Sequence, residues 1–226
     1  MRWTSCTIVL LAAAAAAAAQ APPAPTARFA VVLDAAHGGD DPGGRINDPA
    51  GKPEPEKAST LSLSVRLRSL LAARGISVVT TRESDAAVDL NRRAEVANHA
   101  AAQACLSLHA SQAGSGIHLY VSSLPPADPA RILPWKTAQA AWVARSLALA
   151  GVLNSALLHA GFTVTLGRTS LPAVDSMTCP AVAVEVAPER AAGKPKSALS
   201  DPSYQTRVAT ALAAALLEWR NEARQP

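Results

Sequence analysis

Cysteine and aromatic residues are scarce in this chain of 226 residues, which has three cysteines, two phenylalanines, two tyrosines and four tryptophans. Three cysteines cannot build a four-thiolate metal site, and they are too few for a disulfide framework to stand in for a hydrophobic core. Aromatics make up 4% of the residues and no lysine or arginine cluster alternates with them, so the stacking platforms and basic stripes of a nucleic-acid binder are missing. The formal charge of +4 is mild and spread along the chain, which at most favours attraction to anionic polymers. Long apolar runs are rare too. The one that stands out, Cys6 to Ala19, falls short of the ~20 residues a spanning helix needs.

That run follows Arg2, is dominated by alanine and ends in small residues around Ala19-Gln20-Ala21, the layout of a secretory signal peptide over residues 1–21. Cys6 precedes the apolar core and is out of place for lipidation. Residues 22–28, with Pro22, Pro23 and Pro25, read as a stiff linker, leaving 29–222 as one domain without a stable membrane span. Export would allow Cys105 and Cys179 to pair. Two reduced, buried cysteines packing as small hydrophobes is the slightly favoured reading.

The remaining sequence alternates strand and helix patterns. Phe29 to Ala35 is an apolar strand, followed by a Gly/Asp/Pro-rich loop from Gly38 to Pro55. Leu63, Leu67, Leu70 and Leu71 make one stripe of a helix from Glu56 to Arg74, stopped by Gly75. Ile76 to Thr81 is a strand, Asp89 caps a helix to about Ala102, and Ala104–His109 and Gly116–Ser122 are strands. A prolyl loop over 123–135 leads to a long helix, about Thr137 to Ala160, then short strands at Phe162–Leu166 and Ala181–Val186. A last helix opens at Asp201-Pro202 and sets Tyr204, Val208, Leu212, Leu216 and Trp219 at helical spacing. This order predicts an α/β single domain, a mainly parallel twisted sheet of about five to six strands with helices on both faces.

Three apolar runs end in residues able to bind or serve a metal: Val31 to His37, Cys105 to His109 and Ala181 to Glu185. Open α/β sheets place their chemistry at the carboxyl ends of such strands, so two histidines and a glutamate are expected to share a crevice. Glu56 opens a helix and can project to the same place. An isolated histidine is more commonly a satisfied core residue, and a carboxylate ending so apolar a strand needs either a cation, such as Arg82 or Arg93, or a function.

The ordered motifs are Leu33-Asp34-Ala35-Ala36-His37-Gly38-Gly39, Asp41-Pro42-Gly43, Glu56-Lys57, Thr81-Arg82, Asp85, Leu90 to Arg93, Ala97-Asn98, Ser107-Leu108-His109-Ala110-Ser111 and Pro180 to Glu185. Together, over about residues 29–220, the chain resembles the zinc-dependent N-acetylmuramoyl-L-alanine amidases, which cut peptidoglycan between muramic acid and the L-alanine of the stem peptide. It departs from the family pattern at Ala35-Ala36, where Pro-Gly is usual, at Ser111 for Asn, and at Ala187-Pro188 for Gly-Phe.

The resemblance implies a zinc ion held by His37, Glu56 and His109, with a fourth position open for water, and Glu185 as the catalytic glutamate. Glu54 is the runner-up to Glu56 but lacks the adjoining lysine. Arg82, Arg93 and Asn98 are expected to fix loops and helices, and Asp34 or Asp40 to orient the first histidine. His118, between Ile117 and Leu119, is expected to face solvent, and His99 and His159 to be structural. The implied protein is exported to the periplasm or cell envelope, with peptidoglycan as substrate and no activator identifiable. Two alternatives stand beside it: a catalytically impaired peptidoglycan-binding protein, and a zinc peptidase.

Overall fold

Alternating side chains along the strands sort the residues of this chain onto two unlike sheet faces. The computed structural model describes residues 28–48, 50–191 and 194–223. The expected signal peptide, residues 1–21, and nearly all of the expected linker, 22–28, lie outside them. In chain order the elements are β1 (Ala30–Ala35), β2 (Arg45–Asn47), β3 (Pro53–Pro55), α1 (Glu56–Ala72), β4 (Ser77–Thr80), α2 (Leu90–His99), β5 (Ala104–Ala110) and β6 (Ile117–Ser122). A 3-10 helix (Trp135–Ala141) then precedes α3 (Val143–His159), β7 (Val164–Thr169), α4 (Pro172–Asp175), β8 (Ala181–Val186), β9 (Glu189–Ala191), β10 (Lys194–Ser197) and α5 (Pro202–Glu222).

Six strands form one sheet in the order β4-β1-β5-β8-β6-β7. Every neighbouring pair is parallel except β6 with β8, which is antiparallel. The reversal matters for the site, because it brings the beginnings of β6 and β7 to the edge where β1, β5 and β8 end.

One face carries Val31, Leu33, Leu106, Leu108, Val182, Val184, Ile117 and Leu119, packed against leucines of α1 and α3 and against Tyr204, Val208, Leu212 and Leu216 of α5. The other face carries Val32, Cys105 and Ala181 under Ala94 and Ala97 of α2 and Val174 of α4. Helices therefore cover both faces, as expected, but the second cover stops short of the strand ends that hold the polar residues. Among the described residues, no single helix is long and apolar enough to cross a membrane.

The structure corrects several expectations. Cys105 and Cys179 form a disulfide rather than two thiols. Strands β5 and β8 are neighbours, with Cys105 opposite Ala181, so the turn before β8 lies beside Cys105; which strands are adjacent is a tertiary fact that the sequence pattern does not carry. The long helix is broken: the 3-10 segment meets α3 at 66°. There Gln139 spends its side chain on the carbonyls of Met177 and Cys179 and accepts from Ser146. Helix α2 stops at His99 because Ala101 turns to a φ of 45°. The β2–β3 hairpin, inside the expected loop, and the β9–β10 hairpin lack a strand-like alternation of apolar residues.

The disulfide closes a separation of 74 residues, for which the loop-entropy account gives about 4 kcal/mol. Cys105→Ala/Cys179→Ala should lose roughly 2–4 kcal/mol in denaturant unfolding, and reducing agent should lower native stability by the same amount without affecting the double variant. Equal midpoints with and without reductant would show that the bond contributes nothing.

Candidate metal centre

Strand β1 ends in a turn whose carbonyl oxygens have no strand to pair with, and two buried arginines take them. Arg82 donates from Nε to the Ala35 carbonyl at 2.9 Å and from Nη2 to that of Ala36 at 3.0 Å. Arg93 donates from Nη1 to Ala35 at 2.7 Å and from Nη2 to His37 at 2.8 Å, and pairs with Asp34 at 2.6 Å. Both arginines are 4% exposed. His37 is thereby held at a φ of 63°, a left-handed conformation costing about 1–3 kcal/mol in a non-glycine residue. The far end of the turn is clipped by Lys57, whose Nζ reaches the Gly39 carbonyl and Asp85, both at 2.7 Å, while Asp85 accepts from the Gly39 amide at 2.8 Å.

On this turn His37 meets Glu56, at the first turn of α1, and His109, at the end of β5. His37 Nε2 lies 3.2 Å from Glu56 Oε2, and His109 Nδ1 lies 3.2 Å from Glu56 Oε1. One ligand atom from each of the three falls within 4.8 Å of the others. Glu56 is 6% exposed and fixed by backbone amides, Ala110 to Oε1 and Gly44 to Oε2, both at 2.9 Å. Space is tight: a Cβ at Gly43 would stand 2.6 Å from the His37 ring and 2.8 Å from Glu56 Oε2. Two imidazoles and one fixed carboxylate fit zinc, which takes such a set when a further position stays open.

The outward nitrogens of both rings have partners. His37 Nδ1 pairs with Asp41 Oδ2 at 2.7 Å. His109 Nε2 lies 3.4 Å from the Ser107 hydroxyl, which donates to Asp34 at 2.8 Å, and Asp34 also accepts from Thr81 and Arg93. Asp34 therefore supports the site through Ser107 and His109, not through His37, and Asp41 takes the place expected of Asp40. Outer carboxylates of this kind select the tautomer that leaves the inner nitrogen free for a metal. Asp41 and Ser107 had no periodic signal in the sequence; each stands inside a motif carrying a more conspicuous histidine.

The charges follow this geometry. The hydrogen bond to Glu56 raises the His37 pKa to about 9; burial opposes the rise and Asp41 adds to it. Burial alone would push Glu56 up, but hydrogen bonds from His109, His37 and the amides of Ala110 and Gly44 together hold it below the usual carboxylate range. In the metal-free protein a proton on His37 thus sits where a cation would.

Glu185 occupies the β8 position directly beside His109. It is half-buried, and its carboxylate makes no hydrogen bond or ion pair with any described residue. Arg82 and Arg93 are both committed to the turn, so neither pairs with it. His118 stands on the other side of Glu185, half-buried on the same open sheet face and bonded through Nδ1 to Thr165 Oγ1 at 2.6 Å. His99 and His159 bond carbonyls of their own helices. Asn98 fixes the segment before β8 through Ser176 and Thr178. Ala187 is buried, its amide bonded to Gly116 and its carbonyl to the Tyr204 hydroxyl. A cleft of about 460 Å³, lined by His37, His109, Asp40, Asp89, Leu90 and Ala173 among others, opens beside the histidines.

A mainly parallel sheet and a helix start that together gather two imidazoles and a carboxylate beside a cleft suit metal-assisted hydrolysis. The model of the N-acetylmuramoyl-L-alanine amidase family matches residues 31–218, and the chain belongs to that family. The sporulation-specific N-acetylmuramoyl-L-alanine amidase of Bacillus subtilis (strain 168) is 36% identical over 94 residues, which is 40% of this chain and 35% of that protein. The germination-specific N-acetylmuramoyl-L-alanine amidase of the same organism is 33% identical over 99 residues, 38% of this chain and 40% of that protein. The chain thus matches less than half the length of these curated relatives. Among solved structures, the catalytic domain of the amidase CwlV from Bacillus (Paenibacillus) polymyxa var. colistinus superposes with a TM-score of 0.65 at 25% identity, covering 85% of this chain and 98% of that one. The CwlD amidase of Clostridioides difficile, solved with the GerS lipoprotein, gives 0.63 at 18% identity over 86% and 99%, a likeness of fold.

Because a metal must displace the His37 proton, apparent zinc affinity should rise about tenfold per pH unit from 7 to 9 and level off above 9. The sign for the metal-free fold is the reverse: the His37 contribution is complete below 6.5 and lost as pH rises through about 9. Competition calorimetry across this range measures the slope. A flat profile would remove His37 from the ligand set.

Proposed function

We propose that the protein is an exported zinc-dependent hydrolase that cleaves the amide between N-acetylmuramic acid and L-alanine in peptidoglycan. The observation that carries the reading is the Glu185 carboxylate, without a partner among the described residues and in register with His109 at the rim of the His37, Glu56 and His109 cluster. Those three residues would hold zinc, which when bound supplies a Lewis acid that polarises the scissile carbonyl and acidifies water. Glu185 then acts as the proton carrier: it accepts a proton from the attacking water and delivers it to the departing amine. Asp41 and the Ser107–Asp34 pair keep both imidazoles oriented throughout. Family membership supports the bond cleaved. The leader-like residues 1–21 and the disulfide support delivery to an oxidising compartment, the periplasm or cell envelope, where the polymer lies.

Glu185→Gln should retain zinc and wall binding, since the ligands are other residues, and lower turnover of purified muropeptides by on the order of 100-fold or more. Native rates in this variant would take Glu185 out of the mechanism. Native protein that binds wall fragments but releases no L-alanyl peptide would establish a binding protein instead, and cleavage within peptides alone a peptidase.

A further inference from the structure

Beyond Glu185 the sheet continues as an open polar strip. Register places His109 beside Glu185, Glu185 beside His118 and His118 beside Thr165, all on one face; one row back run Ser107, Ala183, Tyr120 and Gly167. The apolar side chains between them, Ile117, Leu119 and Val121, face α3 on the opposite side. The cover of the strip's own face, from α2 and α4, packs over Val32, Cys105 and Ala181, deeper in the sheet. His118 and Tyr120 are half-buried and Thr165 is exposed. The Tyr120 ring lies against Gly167, where a Cβ would stand 3.4 Å from Cδ1 and Cε1. Gly114 walls the strip at His118, where a Cβ would come within 2.6 Å of Nε2, and Arg190 holds that loop through the carbonyls of Gly114 and Gln112.

We propose that His118, Tyr120, Thr165 and Gly167 form the subsite for the peptide half of the substrate, a reading that rests on Glu185 serving the leaving amine. The amine must be next to the group that protonates it, so the peptide it heads leaves from the Glu185 side. The 460 Å³ cleft is lined by His37 and His109 but not by Glu185, His118 or Tyr120, which puts the acyl, sugar-bearing half on the other side of the centre. From β8 to β7 is two strand spacings, roughly 9.5 Å, the span of about three extended residues. A single L-alanine therefore lies beside Glu185 alone, whereas a tripeptide crosses His118, alongside Tyr120, and reaches Thr165.

The test compares N-acetylmuramoyl-L-alanine with N-acetylmuramoyl-tripeptide on the zinc-loaded native protein, Tyr120→Ala and Thr165→Val, with melting temperatures to confirm folding. The ratio of kcat/KM, tripeptide over single alanine, should fall about tenfold in Tyr120→Ala and severalfold in Thr165→Val. Equal losses on both substrates would make the strip merely structural. A ratio that responds to lengthening the glycan from one sugar to two, and not to the peptide, would assign the strip to sugar and overturn the proposal. Calorimetric titration of the free L-alanyl tripeptide supplies a readout independent of turnover. If native protein hydrolyses neither substrate, the amidase reading fails, while peptide binding weakened by Tyr120→Ala would still uphold the strip and unchanged binding would discard it.

Discussion

The clamp of Arg82 and Arg93 on the carbonyls of Ala35, Ala36 and His37 is the constraint on which the site depends. A chain leaving a central strand must bury carbonyls that no neighbouring strand can satisfy, and an unmet buried acceptor costs about 1–3 kcal/mol. Charge-assisted bonds from two guanidiniums meet that need and hold His37 in a backbone conformation it would otherwise leave. The guanidiniums are themselves compensated, Arg93 by Asp34 and Arg82 by carbonyls and Thr60. Removing one partner of such a buried pair costs roughly 3–5 kcal/mol, so the clamp acts as a unit.

From the clamp outward, sheet alternation sorts chemistry from packing. Leu106 and Leu108 fill the core while Ser107 and His109 face the site; Val184 and Val186 flank Glu185 in the same way. The rigid, core-filling face positions the polar face, which leaves the clustered residues on strand ends and short turns. Glu56 is the exception. It arrives from a helix start, and the amides of Ala110 and Gly44 hold its carboxylate where strand geometry would not.

Much of this was legible in the sequence because the apolar runs and the chemical residues share a period. The runs ending at His37, His109 and Glu185 located three strand ends, and Glu56 at a helix start, distinguished from Glu54 by the family's Glu-Lys motif, supplied the fourth residue. What was missed or disfavoured depended on strand order. The Cys105–Cys179 bond and the place of His118 beside Glu185 both follow from β8 lying between β5 and β6, with β6 reversed. Local patterns do not encode which strands are neighbours. Asp41 was missed in favour of Asp40 because a turn of glycines and aspartates has no periodicity to say which carboxylate swings inward. The broken helix before α3 was hidden by good helix formers, whose preference yields to the buried Gln139 bonds.

The central claim is that the clamped turn delivers His37 to a zinc centre of two imidazoles and one carboxylate. Zinc X-ray absorption on the native protein and on Arg93→Lys, whose ammonium cannot reproduce the guanidinium's fork, tests it directly. The native spectrum should show two imidazoles and one carboxylate oxygen with light-atom distances of about 2.0–2.2 Å, and the folded variant should have lost one imidazole. A sulfur or all-oxygen shell in the native protein, or two imidazoles retained in Arg93→Lys, would contradict the account.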